Sequence, residues 1–269
     1  MKPGLRKGLL LGMLTLVLHC SAEDLKLYRV GVDDGLSQAT VQCFLLDHYG
    51  HLWIGTQDGL NRYDGHRFRV FRPDPGASGT LPFTQINTLA EDSFGKIWVG
   101  MANGQVAVFD PLSERFTVRA VGRVQVVNRL QFWDDRILCI GTRQGLFLVD
   151  IQGKAPPQGD PLPGTGDLAI MSMTRDETGQ LWLATSQGLW CLRRDSLTGR
   201  VDVELRSLCR DGGHEPVLSA VYADGSGSLF AGGVHGLWRT GIRKPSPVEH
   251  LLDHDALGAS VRTLGAERT

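Results

Sequence analysis

Short apolar runs, each bounded by turn-forming residues, repeat along this chain with a fixed internal spacing. Aligned on Trp53, a glycine follows six residues later at Gly59. Trp98 leads in the same way to Gly104, Cys139 to Gly145, Trp182 to Gly188 and Phe230 to Gly236. In four copies a second glycine stands three residues before the aligned position (Gly50, Gly95, Gly179, Gly227), and an aspartate three before that (Asp47, Asp92, Asp176, Asp224). Apolar residues recur three and six positions upstream of the aspartate: Phe44 and Val41, Leu89 and Ile86, Met173 and Ile170, Val221 and Leu218. The third copy puts Trp133 and Arg136 in place of the aspartate and glycine, while Leu130 and Val127 keep the apolar spacing.

Each copy predicts a four-stranded antiparallel unit. Asp at the first and Gly at the fourth position of "DHYG", "DSFG" and "DETG" are the residues a type I turn prefers. Such a turn joins a first strand, "TVQCFLL", to a second, "HLWIGT". The glycine closing "TQDG", "TRQG" or "TSQG" then occupies a turn position with positive φ, where a side chain would be strained. A third strand follows ("LNRYD", "LFLVD"), then a polar turn and an outer strand such as "RFRVFR".

The aligned positions are 45, 41, 43 and 48 residues apart, a period near forty-four. Self-similarity at that period predicts a propeller array. The second strand is apolar on both faces, as a sheet sandwiched between neighbours requires. Burying one tryptophan there is worth up to ~4–6 kcal/mol at 25 cal/mol per Å². No unit can bury both faces alone, so the units must stack. The fold class is therefore all-β, a β-propeller with Trp53, Trp98 and Trp182 and the turn glycines Gly59, Gly104, Gly145, Gly188 and Gly236 as its structural repeat. The Gly- and Pro-rich stretches "RPDPGASGTLPFTQ" and "QGKAPPQGDPLPGTGD" are surface loops between units.

The first 22 residues stand apart from this pattern. Lys2, Arg6 and Lys7, the apolar run Leu9–Leu18 and the small residues before Glu23 together predict a signal peptide, with residues 23–269 exported to the periplasm. The run is too short to span a membrane, and bulky His19 argues against a lipid anchor on Cys20. Net charge is −1 with no run of five like charges, so nucleic acid is not an expected partner. Cys43, Cys139 and Cys191 sit in apolar runs and are expected as small buried hydrophobes; Cys209 does not.

Val261, Leu264 and Glu267 begin the pattern a sixth time, and the chain stops at Thr269. The expectation is five units plus the start of a sixth, an incomplete array that is prone to aggregate or open when isolated. "GLSQATVQCFLLDHYGHLWIGTQDGLNRYDGHRFRVFRPDP" and "INTLAEDSFGKIWVGMANGQVAVFD" resemble two-component regulator propeller repeats. The resemblance extends over about Val30 to Thr269. It implies the periplasmic sensor region of a bacterial hybrid histidine kinase or diguanylate cyclase. In such a receptor further blades, a membrane helix and a cytoplasmic output domain lie downstream, so the membrane is reached only through those segments. A dimer is compatible with the full-length receptor.

Candidate chemistry is sparse. His250 and His254 have the spacing of a helical zinc pair, but Leu251 stands where a metallopeptidase needs Glu. On the expected outer strand they lie about 13 Å apart. His48 and His51 flank the turn at Gly50. No catalytic set, metal site or cofactor is expected. Antiparallel connectivity puts the turns between second and third strands on the same face as the inter-unit loops. The residues before the turn glycines, Asp58, Asn103, Gln144, Gln187 and His235, would then ring the mouth of a central channel. Ordinary turn polarity explains them too. The expected function is sensing of a small molecule or glycan. An enzyme like the streptogramin lyases and a scaffold for proteins or glycans are the alternatives.

Overall fold

The computed structural model describes residues 29–119, 126–153, 160–195, 198–209, 214–242 and 248–253. The expected signal peptide at 1–22, the expected sixth unit at 261–269 and His254 lie outside the described residues. None of the described helices is long and apolar enough to cross a membrane.

From Gly31 onward the chain forms five successive antiparallel sheets, the blades of a β-propeller. After a short 3-10 turn (Val32–Asp34), blade one comprises β1 (Val41–Leu46), β2 (Leu52–Thr56), β3 (Gly59–Tyr63) and β4 (Phe68–Phe71). Blade two is β5 (Ile86–Glu91), β6 (Ile97–Met101), β7 (Val106–Asp110) and β8 (Arg115–Arg119). Blade three has three strands among the described residues: β9 (Val127–Phe132), β10 (Ile137–Thr142) and β11 (Gly145–Asp150). Blade four is β12 (Ile170–Arg175), β13 (Leu181–Thr185), β14 (Gly188–Arg194) and β15 (Val201–Arg206). Blade five is β16 (Leu218–Ala223), β17 (Ser228–Gly233), β18 (Gly236–Gly241) and β19 (Glu249–Asp253). Strands pair in chain order within every blade.

The turn chemistry is as the sequence predicts. The amides of Gly50, Gly95 and Gly179 donate to the carbonyls of Asp47, Asp92 and Asp176. The aspartates also hold the blade core. Asp47 Oδ1 accepts the amides of Tyr49 and His51, and its Oδ2 accepts the Trp53 indole N–H at 2.7 Å. Asp92 and Trp98 repeat this at 2.9 Å, and Asp176 and Trp182 at 2.8 Å. All three carboxylates are buried, where an unpaired indole N–H would be costly. For Asp47 burial raises the pKa, but the Trp53 and His51 hydrogen bonds outweigh it and the net shift is downward.

The third copy departs at both ends of this pair. Cys139 replaces the central Trp and Trp133 replaces the Asp, and both side chains are buried in the same cluster between blades three and four. The indole has moved six residues upstream, and its N–H donates to the Gly179 carbonyl of the next blade at 2.9 Å.

Four apolar clusters occupy the four interfaces between consecutive blades. Innermost strands β1, β5, β9, β12 and β16 pack each against the next, with no comparable packing of β16 on β1. Among the described residues, blade one accordingly shows one uncovered face. Val41 and Phe44 are 44% and 72% exposed, whereas their repeat equivalents, Leu130 and Val221 among them, are buried. Residues 31–38 cover part of that face. Leu36 is buried, and the Ser37 amide donates to Oδ1 of the buried Asn61 at 2.9 Å.

The loops sort as connectivity requires. Gly59 N–H donates to Thr84 O and Gly145 N–H to Leu168 O, tying the turns between second and third strands to the inter-blade loops. At the other end, Lys96 pairs with Asp110 and Arg136 with Asp150. His48 pairs with Glu91 of blade two, and His51 with Asp47. His250 lies on the outer strand β19 and stacks on Trp238 with ring centroids 5.0 Å apart. Cys139 and Cys191 are buried, and Cys43 and Cys209 partly so.

Candidate ligand-binding cavity

The apolar residues at minus six and minus three pack on the same side of their blade. Ile86 and Leu89 both join the interface with blade one, and Leu218 and Val221 both join that with blade four. Side chains alternate along a strand, so residues three apart fall on opposite faces unless an extra residue is inserted. The insertion is present in every blade. The register of the first strand against the second shifts between Val41 and Cys43, Ile86 and Thr88, Ile170 and Met173's neighbour Ser172, and Leu218 and Ala220. In blade three the same shift skips Asn128.

The residues left unpaired by these five bulges are Gln42, Asn87, Asn128, Met171 and Ser219. All five line one cavity of about 540 Å³, together with Arg129, Val217 and Val234. A bulge re-aims a side chain, and here five bulges aim one side chain from each blade at a shared space. The Asn87 amide donates to Val127 O at 3.0 Å and the Asn128 amide to Ile170 O at 2.9 Å, each reaching the next blade's inner strand. A carboxamide has two N–H donors and an acceptor oxygen, so both retain capacity toward the cavity. Among the described residues the Gln42 side chain has no protein partner.

Arg129 breaks the repeat. The equivalent positions, each opposite a glycine or alanine of the second strand, hold the smaller Cys43, Thr88, Ser172 and Ala220. Arg129 Nη1 donates to the carbonyl of Asn128 at 2.9 Å, and among the described residues no carboxylate lies within ion-pair distance of the guanidinium. Burial lowers the Arg129 pKa, opposed by the nearby Cys43. Burial pushes the Cys43 thiol up to about 12, against the Gly55 amide and the Arg129 charge. The thiol is thus neutral at physiological pH and supplies no counter-charge.

The five turn residues singled out from sequence lie elsewhere, and none of them lines this cavity. Asp58 pairs with Arg72 at 2.8 Å, just beyond the outer strand β4. Asn103 bonds Gln105 within its own turn, and the Gln187 amide donates to Asp167 O at 2.9 Å. The Gln144 backbone N–H donates to Thr142 Oγ1, and Gln144 and His235 are exposed. The five residues cap the second and third strands, and the turn of blade five reaches the cavity through Val234, the neighbour of His235. A second cavity, about 840 Å³, flanks the outer half of blade two beside Trp98 and Arg115. It draws on one inter-blade groove, and its charges Lys96 and Asp110 already pair.

Comparison with known proteins agrees with the architecture. Residues 35–58 and 80–103 match the family model described as two component regulator propeller, so blades one and two carry these repeats. Histidine kinase P4 of Formosa agariphila is 48% identical over 48 residues, 18% of this chain and 4% of the kinase. The extracellular domain of a hybrid two-component system from B. thetaiotaomicron superposes with a TM-score of 0.55 at 16% identity, over 87% of this chain and 38% of that domain. Virginiamycin B lyase from Staphylococcus aureus superposes at 0.64 with 14% identity, over 84% of this chain and 74% of the lyase. Both likenesses show the fold alone.

Proposed function

We propose that this chain, built on two-component regulator propeller repeats, is the ligand-sensing part of an extracytoplasmic bacterial receptor. The observation that carries the reading is the convergence of five inner-strand bulges on one cavity lined by Gln42, Asn87, Asn128 and Ser219. The repeat family and the histidine kinase match support a signalling context, with a kinase or diguanylate cyclase output borne by other segments of the receptor. The basic and apolar residues at 1–22 support export to the periplasm. The ligand is a small molecule or glycan fragment taken by the inner ring, and the turn residues Asp58, Asn103, Gln144, Gln187 and His235 contribute at most a rim. An enzymatic reading has the lyase-like fold to support it. The cavity lining favours binding instead, because it offers amides and a guanidinium rather than an acid–base pair.

The test is a thermal-melt screen of the full chain against neutral saccharides and small organic acids, followed by calorimetry on the compounds that raise the melting temperature. Gln42→Ala or Asn128→Ala is expected to weaken binding about threefold to tenfold, the worth of one hydrogen bond. Asp58→Ala and Gln144→Ala should leave it unchanged. The reverse order of effects would move the site to the turns and overturn this assignment.

A further inference from the structure

We infer that Arg129 makes the cavity selective for a small hydroxylated carboxylate, its carboxyl group held by the guanidinium and its hydroxyls by the amides of Gln42, Asn87 and Asn128. This rests on the reading of the cavity as the ligand site and adds the chemical class of the ligand.

Three observations carry it. Arg129 is the one charged residue at a register position where the other four blades place Cys43, Thr88, Ser172 and Ala220. The fold therefore has no packing need for a long cation there. Arg129 is half-buried, and its one protein partner among the described residues is a neutral carbonyl. A desolvated charge without a counter-charge is costly, and an anionic ligand would offset that cost. Finally, the rest of the lining is uncharged: amides, Ser219, Met171 and two valines.

That composition separates the classes of anion. One guanidinium balances one negative charge, and its planar fork matches a carboxylate in bidentate geometry. A phosphate carries a charge of about −1.5 to −2 at neutral pH and would leave part of it uncompensated. The amides have both donors and acceptors to spare, which suits hydroxyl groups on the same molecule.

Calorimetry and thermal melts on the full chain with gluconate, glucuronate, glucose, glucose 6-phosphate and a set of neutral oligosaccharides provide the test. A carboxylate is expected to bind and glucose is not, and Arg129→Gln should weaken the carboxylate at least about tenfold. Arg129→Lys, which keeps the charge and loses the fork, should fall between, and it serves as the informative variant if the glutamine protein does not fold. Undiminished carboxylate affinity in both variants overturns the inference. Binding of neutral sugars alone, or of the phosphate in preference to the carboxylates, overturns it while leaving the cavity as a ligand site. A panel in which no compound binds removes both readings.

Discussion

Gly59→Val is expected to destabilise the propeller by about 3 kcal/mol or more, against less than about 0.5 kcal/mol for Gln57→Ala two residues away. Gly59 has φ +114°, a conformation in which a β-branched residue is an outlier. Relaxing φ does not rescue the side chain, because a Cβ at this position would come within 2.5 Å of the Phe71 carbonyl oxygen. That oxygen belongs to the outer strand, so relief requires the β3–β4 pairing to shift. Gly188→Val should behave alike: φ is +92° and a Cβ would lie 2.9 Å from Glu215 Cβ. The exposed Gln57 side chain has no partner among the described residues. Paired thermal melts check the contrast, and equal shifts for Gly59→Val and Gln57→Ala would show that the turn register is wrong.

The second large effect concerns two residues that hold the same place in different blades. Leu130→Ala is expected to cost about 2–5 kcal/mol, the range for a buried leucine whose cavity relaxes only partly. Phe44→Ala should change stability by less than about 0.5 kcal/mol. Leu130 is 6% exposed in the interface between blades two and three, and Phe44 is 72% exposed on the uncovered face of blade one. The prediction applies to the isolated chain. If Phe44→Ala costs as much as Leu130→Ala, something covers that face. In a longer receptor in which another blade packs there, Phe44 should acquire the sensitivity of Leu130. Comparing the two hosts therefore reads out directly whether blade one has gained a neighbour.

The period, the strand order and the turn glycines were all legible in the residues, because each reports a local conformation. Asp47, Gly50 and Gly59 announce turns wherever the chain goes next. The indole–carboxylate bond was spelled out by the recurring spacing from Asp47 to Trp53 but needed the fold to bring the two side chains onto one face. The exchange of roles between Trp133 and Cys139 reads in the sequence as a departure from the repeat. Packing shows the same apolar volume supplied from six residues upstream.

The cavity lining is harder to read from the sequence for a physical reason. Apolar periodicity tells which face of a blade a residue packs on, and it says little about how far that residue lies from the centre. Asp58 and Gln187 sit between the second and third strands of their blades, and periodicity alone does not report their distance from the centre. A signal for the lining of the inner-strand cavity is present in the sequence. Two apolar residues three apart, such as Val127 and Leu130, can share one face of a strand only across a bulge, and the residue inserted there is Asn128. Arg129 could likewise be found by aligning Cys43, Thr88, Ser172 and Ala220 beneath it, since a lone cation among small residues is not explained by packing.

Hydrogen–deuterium exchange of the full chain, with and without the compound that raises its melting temperature most, tests the central claim that the five inner strands form the ligand site. The predicted result is slowed exchange concentrated on peptides from 41–46, 86–91, 127–132, 170–175 and 218–223, strongest at the bulges. Slowed exchange confined to the turns at 57–58, 102–105, 143–144 and 186–187 would contradict it.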